Sequence, residues 1–222
     1  MRHKSLFRIL PQRSLLRRTG FLGVVFLLVF PLLAPSQIRA HKTFHDPKYG
    51  VSFRYPSGWS DGADVDFYLG SEILDVKPEG GAAAPIAKVG FAVKEGDPRF
   101  SHTHLSGVQF VYNVISQSTP EDCRGRIQDL SRDPIVETVL RGVTYHHFSG
   151  GDAGLGHQAS REIYATFREG RCYLFEEAIH TATGENSRAL TVQQWKHLRR
   201  ELDAVMQSVH IEERHELQPG RE

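Results

Sequence analysis

Histidine and glutamate are the residues of this chain best placed to do chemistry. Of its 12 histidines, all but His3 lie beyond residue 40. His102-x-His104, the His146-His147 pair, His157 and His45 could converge on a transition metal, because neutral imidazole is a common ligand for such ions. His102 and His104 fall in an expected loop after Pro98, and His157 in a glycine-rich stretch. A site built from His102, His104 and His157 therefore requires two loops to meet. The competing reading is a set of solvated surface histidines.

A second constellation follows from strand register. Residues 159–168 and 171–181 read as a hairpin joined across Glu169-Gly170. In that register Phe167 faces Cys172, Tyr164 faces Phe175 and Glu162 faces Glu177, with Glu176 on the opposite face beside Ile163 and Leu174. Two directly opposed carboxylates repel unless they are solvated, bridged by a cation or sharing a proton. As an acid and base, Glu162 and Glu177 would suit a hydrolase. The plainer reading is a surface pair relieved by solvent and basic neighbours, for which Glu162→Gln is expected to stabilise the fold slightly.

The motifs that compel an enzymatic reading are missing: there is no HExxH, GxSxG, Walker A or CxxC. Gly150, Gly151, Gly154 and Gly156 do not make a phosphate loop, because they sit between two expected strands and no helix N-terminus follows them. An N-terminal His41, paired with a second histidine, would be similar to the brace of copper monooxygenases. Their fold is all-β, whereas residues 187–208 read as a helix.

Composition narrows the class. The chain has 222 residues, 40% hydrophobic and 24% charged, as a globular protein does. Residues 1–40 hold seven of the 27 basic residues and no acidic ones, which leaves 20 basic against 26 acidic beyond them. That balance argues against a nucleic-acid partner, since neutralising phosphates needs a local excess of Lys and Arg.

Those first 40 residues read as a secretory signal peptide: a basic start, an apolar run over 21–34, and Ile38-Arg39-Ala40 as the cleavage pattern. Fourteen apolar residues make roughly 21 Å of helix against a hydrocarbon core of about 30 Å, too short for a stable span. Arg17-Arg18 resembles a twin-arginine signal with its spacing one residue off, and no cysteine follows the run to carry a lipid. The expectation is an exported protein, periplasmic or extracellular, cleaved after Ala40. Export makes Cys123 and Cys172 candidates for a disulfide, with two separately buried thiols as the alternative.

The elements that must position these residues are readable from periodicity. Residues 51–55, 85–94, 107–117, 135–140 and 142–148 read as strands, and 107–117 is apolar on both faces, as a strand covered on both sides must be. Thr119-Pro120-Glu121-Asp122 opens a helix over 120–130. Residues 187–208 carry an apolar stripe, while 149–158 is expected to be a glycine-rich loop.

Residues 44–59, FHDPKYGVSFRYPSGW, resemble the opening of PsbP-like domains, and the hairpin at Arg171-Cys172-Tyr173-Leu174 and the helix ending Val205-Met206-Gln207-Ser208-Val209 agree with that family. The resemblance implies an α+β fold, a three-layer αβα sandwich with a mainly antiparallel sheet. That fold is shared by photosynthetic PsbP, Ran-binding import factors and periplasmic DcrB-like proteins. Tyr55, Pro56 and Trp59 carry over as fold residues only. The implied organisation is a signal peptide over 1–40, a PsbP-like domain over 41–212 and a flexible tail over 213–222. The implied function is non-catalytic binding or assembly outside the cytoplasm, with an extracytoplasmic protein or a small ligand as partner and no cofactor other than the transition metal considered above.

Overall fold

The computed structural model describes residues 40–61, 86–93, 99–100, 102–131, 133–154, 156–184 and 187–213. The leader over residues 1–39 and the tail beyond residue 213 lie outside the described residues. Among the described residues the elements follow in the order β1 (His41–Asp46), β2 (Val51–Pro56), β3 (Ser60–Asp61), β4 (Ala87–Ala92), β5 (Leu105–Ser116), α1 (Pro120–Leu130), β6 (Val136–Leu140), β7 (Val143–Gly154), β8 (His157–Arg168), β9 (Arg171–Ala182), α2 (Val192–Ser208) and β10 (His210–Ile211).

Seven strands form one antiparallel sheet in the order β3-β4-β5-β9-β8-β7-β6, and β1-β2-β10 form a second. Residues of β5 and β9 are buried on both faces, because a helix covers each side. On one face α1 contributes Cys123 and Ile127 to a cluster with Val111, Ile115, Phe148, Ile163 and Leu174. On the other, Leu198, Leu202, Val205 and Met206 of α2 pack with Phe110, Tyr145, Tyr164, Phe175 and Ile179. Burying each such apolar side chain stabilises the fold by roughly 1.5–3 kcal/mol. The small sheet packs on the α2 side, with Phe53 and Phe110 ring centroids 5.0 Å apart. The architecture is an α+β sandwich of three layers, as the family resemblance implies.

Local chemistry sets most boundaries. Thr119 caps α1 by accepting from the Asp122 amide while the Asp122 carboxylate accepts from the Thr119 amide, and Thr191 and Gln194 repeat the device on α2. The second box corrects the expected helix over 187–208: it begins at Val192, and Arg188 instead makes a parallel bridge with Thr103. Glu169 and Gly170 have φ of 48° and 71°, the left-handed pair that a two-residue hairpin turn requires.

The glycine-rich stretch is also a correction, since β7 and β8 continue pairing through it, down to Gly154 opposite His157. Composition suggests a loop, but at Gly151 the missing side chain permits close strand approach. A Cβ on Gly151 would stand 2.5 Å from the Ala159 carbonyl oxygen.

Candidate functional site

The alternation of β7, β8 and β9 places His147, Ser149, Glu162 and Glu177 under α2. Glu162 and Glu177 are paired in register, and Glu177 is fully buried. Arg199 reaches down from α2 and supplies the cation: its Nη1 lies 3.5 Å from Glu162 Oε1 and 3.4 Å from Glu177 Oε2, and its Nη2 donates to Ser160 Oγ at 3.0 Å. His147 Nε2 stands 2.7 Å from Glu162 Oε2, and Ser149 Oγ donates to the same oxygen. Tyr164 stacks on the His147 ring at 4.4 Å. Asp203, one turn beyond Arg199, brings a third carboxyl to the cluster.

These groups titrate apart. Burial, reinforced by repulsion from Asp203 and Glu162, pushes Glu177 up to about 8 against the pull of Arg199. Burial also pushes Glu162 upward, but its hydrogen bonds with His147 and Ser149 and the charge of Arg199 outweigh that and hold it below the ordinary glutamate range. Burial raises Asp203 in spite of Arg199.

A low and a high carboxyl side by side resemble an acid and base pair. The geometry does not serve that chemistry, because Arg199 occupies the space between them and Glu177 has no exposed surface. Ser149 is not activated as in a nucleophilic triad either: Glu162 lies between Ser149 and His147, where the triad needs the imidazole between hydroxyl and carboxylate. The cluster fastens α2 to the sheet. It also reverses the expectation for Glu162→Gln, since Glu162 is engaged by three partners rather than repelled by one.

The open surface lies at the other edge of α2. A hollow of about 390 Å³ between β2 and α2 is lined by His41, Arg54, Pro56, His197, Arg200, Glu201 and Val205 among others. It adjoins a second of about 480 Å³ that shares Pro56, His197 and Glu201 and adds Ser57, Trp59, Phe91, Arg99 and Phe100. The Tyr55-Pro56-Ser57-Gly58-Trp59 motif builds the wall between them. Pro56 ends β2, the Trp59 amide donates back to the Pro56 carbonyl at 2.9 Å, and Trp59 turns into the core. Phe91 and Phe100 stack 5.8 Å apart, and the Arg99 guanidinium lies 5.8 Å and 5.7 Å from their centroids.

The other predicted residues are dispersed. His102 is exposed in a turn at φ 60°, while His104 is half-buried with Nε2 3.2 Å from the Ser187 carbonyl. His157 is exposed and paired with Ala182, whose amide donates to the His104 carbonyl, so the backbones of His104 and His157 flank one residue. No group of three or more His, Cys, Asp or Glu among the described residues is placed to hold a metal ion. His45 and His146 are apart from them, on β1 and β7. Cys123 and Cys172 form a disulfide, Cα atoms 5.3 Å apart, that ties α1 to β9.

Sequence reasoning missed Arg199, Asp203, Arg99 and Arg200 as site residues. The i,i+4 spacing of Arg199 and Asp203 beside the apolar stripe was the available signal.

No protein-family model matches the chain, and no curated protein sequence matches it. Similar solved structures include LpqN, involved in cell envelope biogenesis of Mycobacterium tuberculosis, at TM-score 0.43 and 11% identity over 78% of this chain and 91% of that one. They also include cyanobacterial PsbP (CyanoP) from Synechocystis sp. PCC 6803, at 0.35 and 16% over 87% and 98%. A third is the Ran-binding protein Mog1p of Saccharomyces cerevisiae, at 0.41 and 9% over 78% and 96%.

Proposed function

We infer that this protein is a non-catalytic binding or assembly domain that works outside the cytoplasm and engages its partner through the groove between the Pro56–Trp59 turn and α2. The observation that carries the reading is the groove itself, two joined hollows with an aromatic floor and exposed cationic walls. Support comes also from the polar cluster beneath α2, whose carboxylates are spent on Arg199 rather than left open to a substrate. Export is supported by the basic and apolar leader with its Ile38-Arg39-Ala40 pattern and by the disulfide, a bond that persists in oxidising compartments. No helix among the described residues is long and apolar enough to cross a membrane.

The test has two parts. A native intact mass of the protein recovered from the envelope or medium of an expressing bacterium should begin at His41 and show both cysteines bonded. A photo-reactive side chain at position 200 should then form discrete adducts in native extracts, whereas one at Val139, on the far edge of the sheet, should not. Equal labelling from both positions, or none from either, would remove the groove from the account.

A further inference from the structure

Glu177 stands among apolar side chains on three sides. Its strand partners are Phe110 of β5 and Glu162 of β8, and Phe175 and Ile179 flank it on the same face of β9; all three apolar neighbours are fully buried. From above, α2 closes the site with Arg199 and Asp203, one helical turn apart. Among the described residues, the titratable groups facing Glu177 are these two, Glu162 and Tyr164 of β8, and, across Glu162, His147 of β7.

One guanidinium does not satisfy three carboxyls. Arg199 Nη1 is divided between Glu162 and Glu177 at 3.5 Å and 3.4 Å, and its Nη2 is committed to Ser160 Oγ at 3.0 Å. Glu162 has further donors in His147 and Ser149. Glu177 Oε1 is buried and receives no N–H or hydroxyl donor among the described residues. What the Glu177 carboxyl meets instead is the carboxyl of Asp203, within hydrogen-bonding reach. Ionised carboxylates only accept, so the two can bond only with a proton between them.

We propose that Glu177 and Asp203 share one proton, that this proton seats the middle of α2 on the sheet, and that its loss to solvent unseats those turns. The inference goes beyond the binding reading and does not rest on it. The ends of α2 are held by contacts that do not titrate: ahead of the helix Arg188 bridges Thr103, and at its end Ser208 Oγ accepts from the Arg54 amide at 2.8 Å. The turn from Arg199 to Asp203 lies between those anchors. Losing the proton there leaves a second negative charge under the helix, sealed from water and sharing its one cation. Burial, reinforced by Asp203 and Glu162, keeps Glu177 protonated up to about 8, and burial also raises Asp203, so the pair holds its proton through neutrality and releases it in mild alkali. Ala204 and Val205, directly after that turn, line the hollow beside β2, so the release reaches the groove wall.

The proton and the helix are read separately. Infrared spectra of the exported protein in heavy water should show the carbonyl stretch of a protonated carboxylic acid at about pH 7, lost by about pH 10 and absent in Glu177→Gln. In Asp203→Asn the acid band should vanish at a lower pH than in the wild type, because the negative charge that retains the proton is gone. Amide hydrogen exchange, corrected for the intrinsic effect of pH, should show protection of the Arg199–Asp203 turn falling by up to about tenfold per pH unit above about 8, while β5 and β9 keep theirs. Glu177→Gln, whose amide can donate to Asp203 at every pH, should hold that turn at constant protection. A wild-type spectrum with no acid band at about pH 7 would overturn the proposal before any variant is made. An Asp203→Asn titration matching the wild type would leave burial alone holding the proton and would overturn the sharing. Protection that ignores pH, falls equally in helix and sheet, or still falls in Glu177→Gln would overturn the unseating of α2.

Discussion

Glu162 and Glu177 face each other in register across β8 and β9, and a single nitrogen of Arg199 lies 3.5 Å from the first and 3.4 Å from the second. One guanidinium from α2 therefore offsets a repulsion created by the sheet. The two carboxyls are not equivalent: Glu162 is also held by His147 and Ser149, whereas Glu177 is sealed beneath the helix. The site's stability should depend on which of the three groups is removed and at what pH.

Replacing Arg199 by Met should lower stability by about 1–3 kcal/mol in urea unfolding at neutral pH, since hydrogen bonds to charged groups are lost and Glu177 remains buried. Adding Glu177→Gln to that variant should recover part of the loss. Strict additivity of the two changes would show that they do not interact. Glu162→Gln, which leaves His147 and Arg199 with a weaker acceptor, should destabilise by about 1 kcal/mol, opposite in sign to what an unrelieved like-charge pair predicts.

Acidity should show both shifts. Glu177 is raised to about 8 in the folded state, so above the ordinary glutamate pKa the native protein binds more protons than the unfolded chain, and stability should fall as pH rises from about 4.5 to about 8. Glu162 is depressed, so its contribution is present above the ordinary glutamate pKa and is lost as pH falls through its lower folded value. Thermal unfolding of Glu177→Gln across pH 5 to 8 should give a flatter profile than the wild type, by the linkage of proton uptake to folding. An unchanged slope would mean that Glu177 ionises in the folded protein as it does in water.

The disulfide joins residues 49 apart, so reducing it should cost about 4 kcal/mol through the freed unfolded chain. The urea midpoint of a Cys123→Ser, Cys172→Ser variant should drop accordingly and become insensitive to reductant. A wild-type midpoint that ignores reductant would indicate that the bond does not form in the purified protein.

Gly151→Ala should loosen the distal part of the β7–β8 hairpin, because the new Cβ would stand 2.5 Å from the Ala159 carbonyl oxygen. Amide hydrogen exchange should speed up beyond Ser149 and Glu162 with little change at the Glu169-Gly170 end of the β8–β9 hairpin. Uniform acceleration across both hairpins would point to global destabilisation instead.

Much of this fold was legible locally. The Glu169-Gly170 turn fixed the register that opposes Glu162 to Glu177, and the apolar alternation of β5 and the stripe positions Leu198, Leu202 and Val205 marked what is buried, whereas Val192 at the start of that stripe is exposed. Turn chemistry and side-chain period act over a few residues, so they survive in one dimension. The start of α2 and the strands through the glycine-rich stretch were misread. In the first, the capping pair Thr191 and Gln194 outweighed a longer periodic pattern; in the second, Gly151 serves close packing against β8 rather than a loop.

By itself the sequence determined the order of the longer elements, though not β1, β3 and β10, the basic and apolar pattern of its first 40 residues, the carboxylate pairing and the presence of two cysteines able to bond. Only the tertiary structure decided which cation meets that pair, which histidines stay apart and which arginines share a groove. Arg199 lies 37 residues from Glu162 along the chain, and Arg54 lies far from Arg200. Contacts between such positions are set by how α2 lies across the sheet. That placement reflects the packing of its apolar stripe, whose burial stabilises the fold without specifying the polar neighbours it brings together.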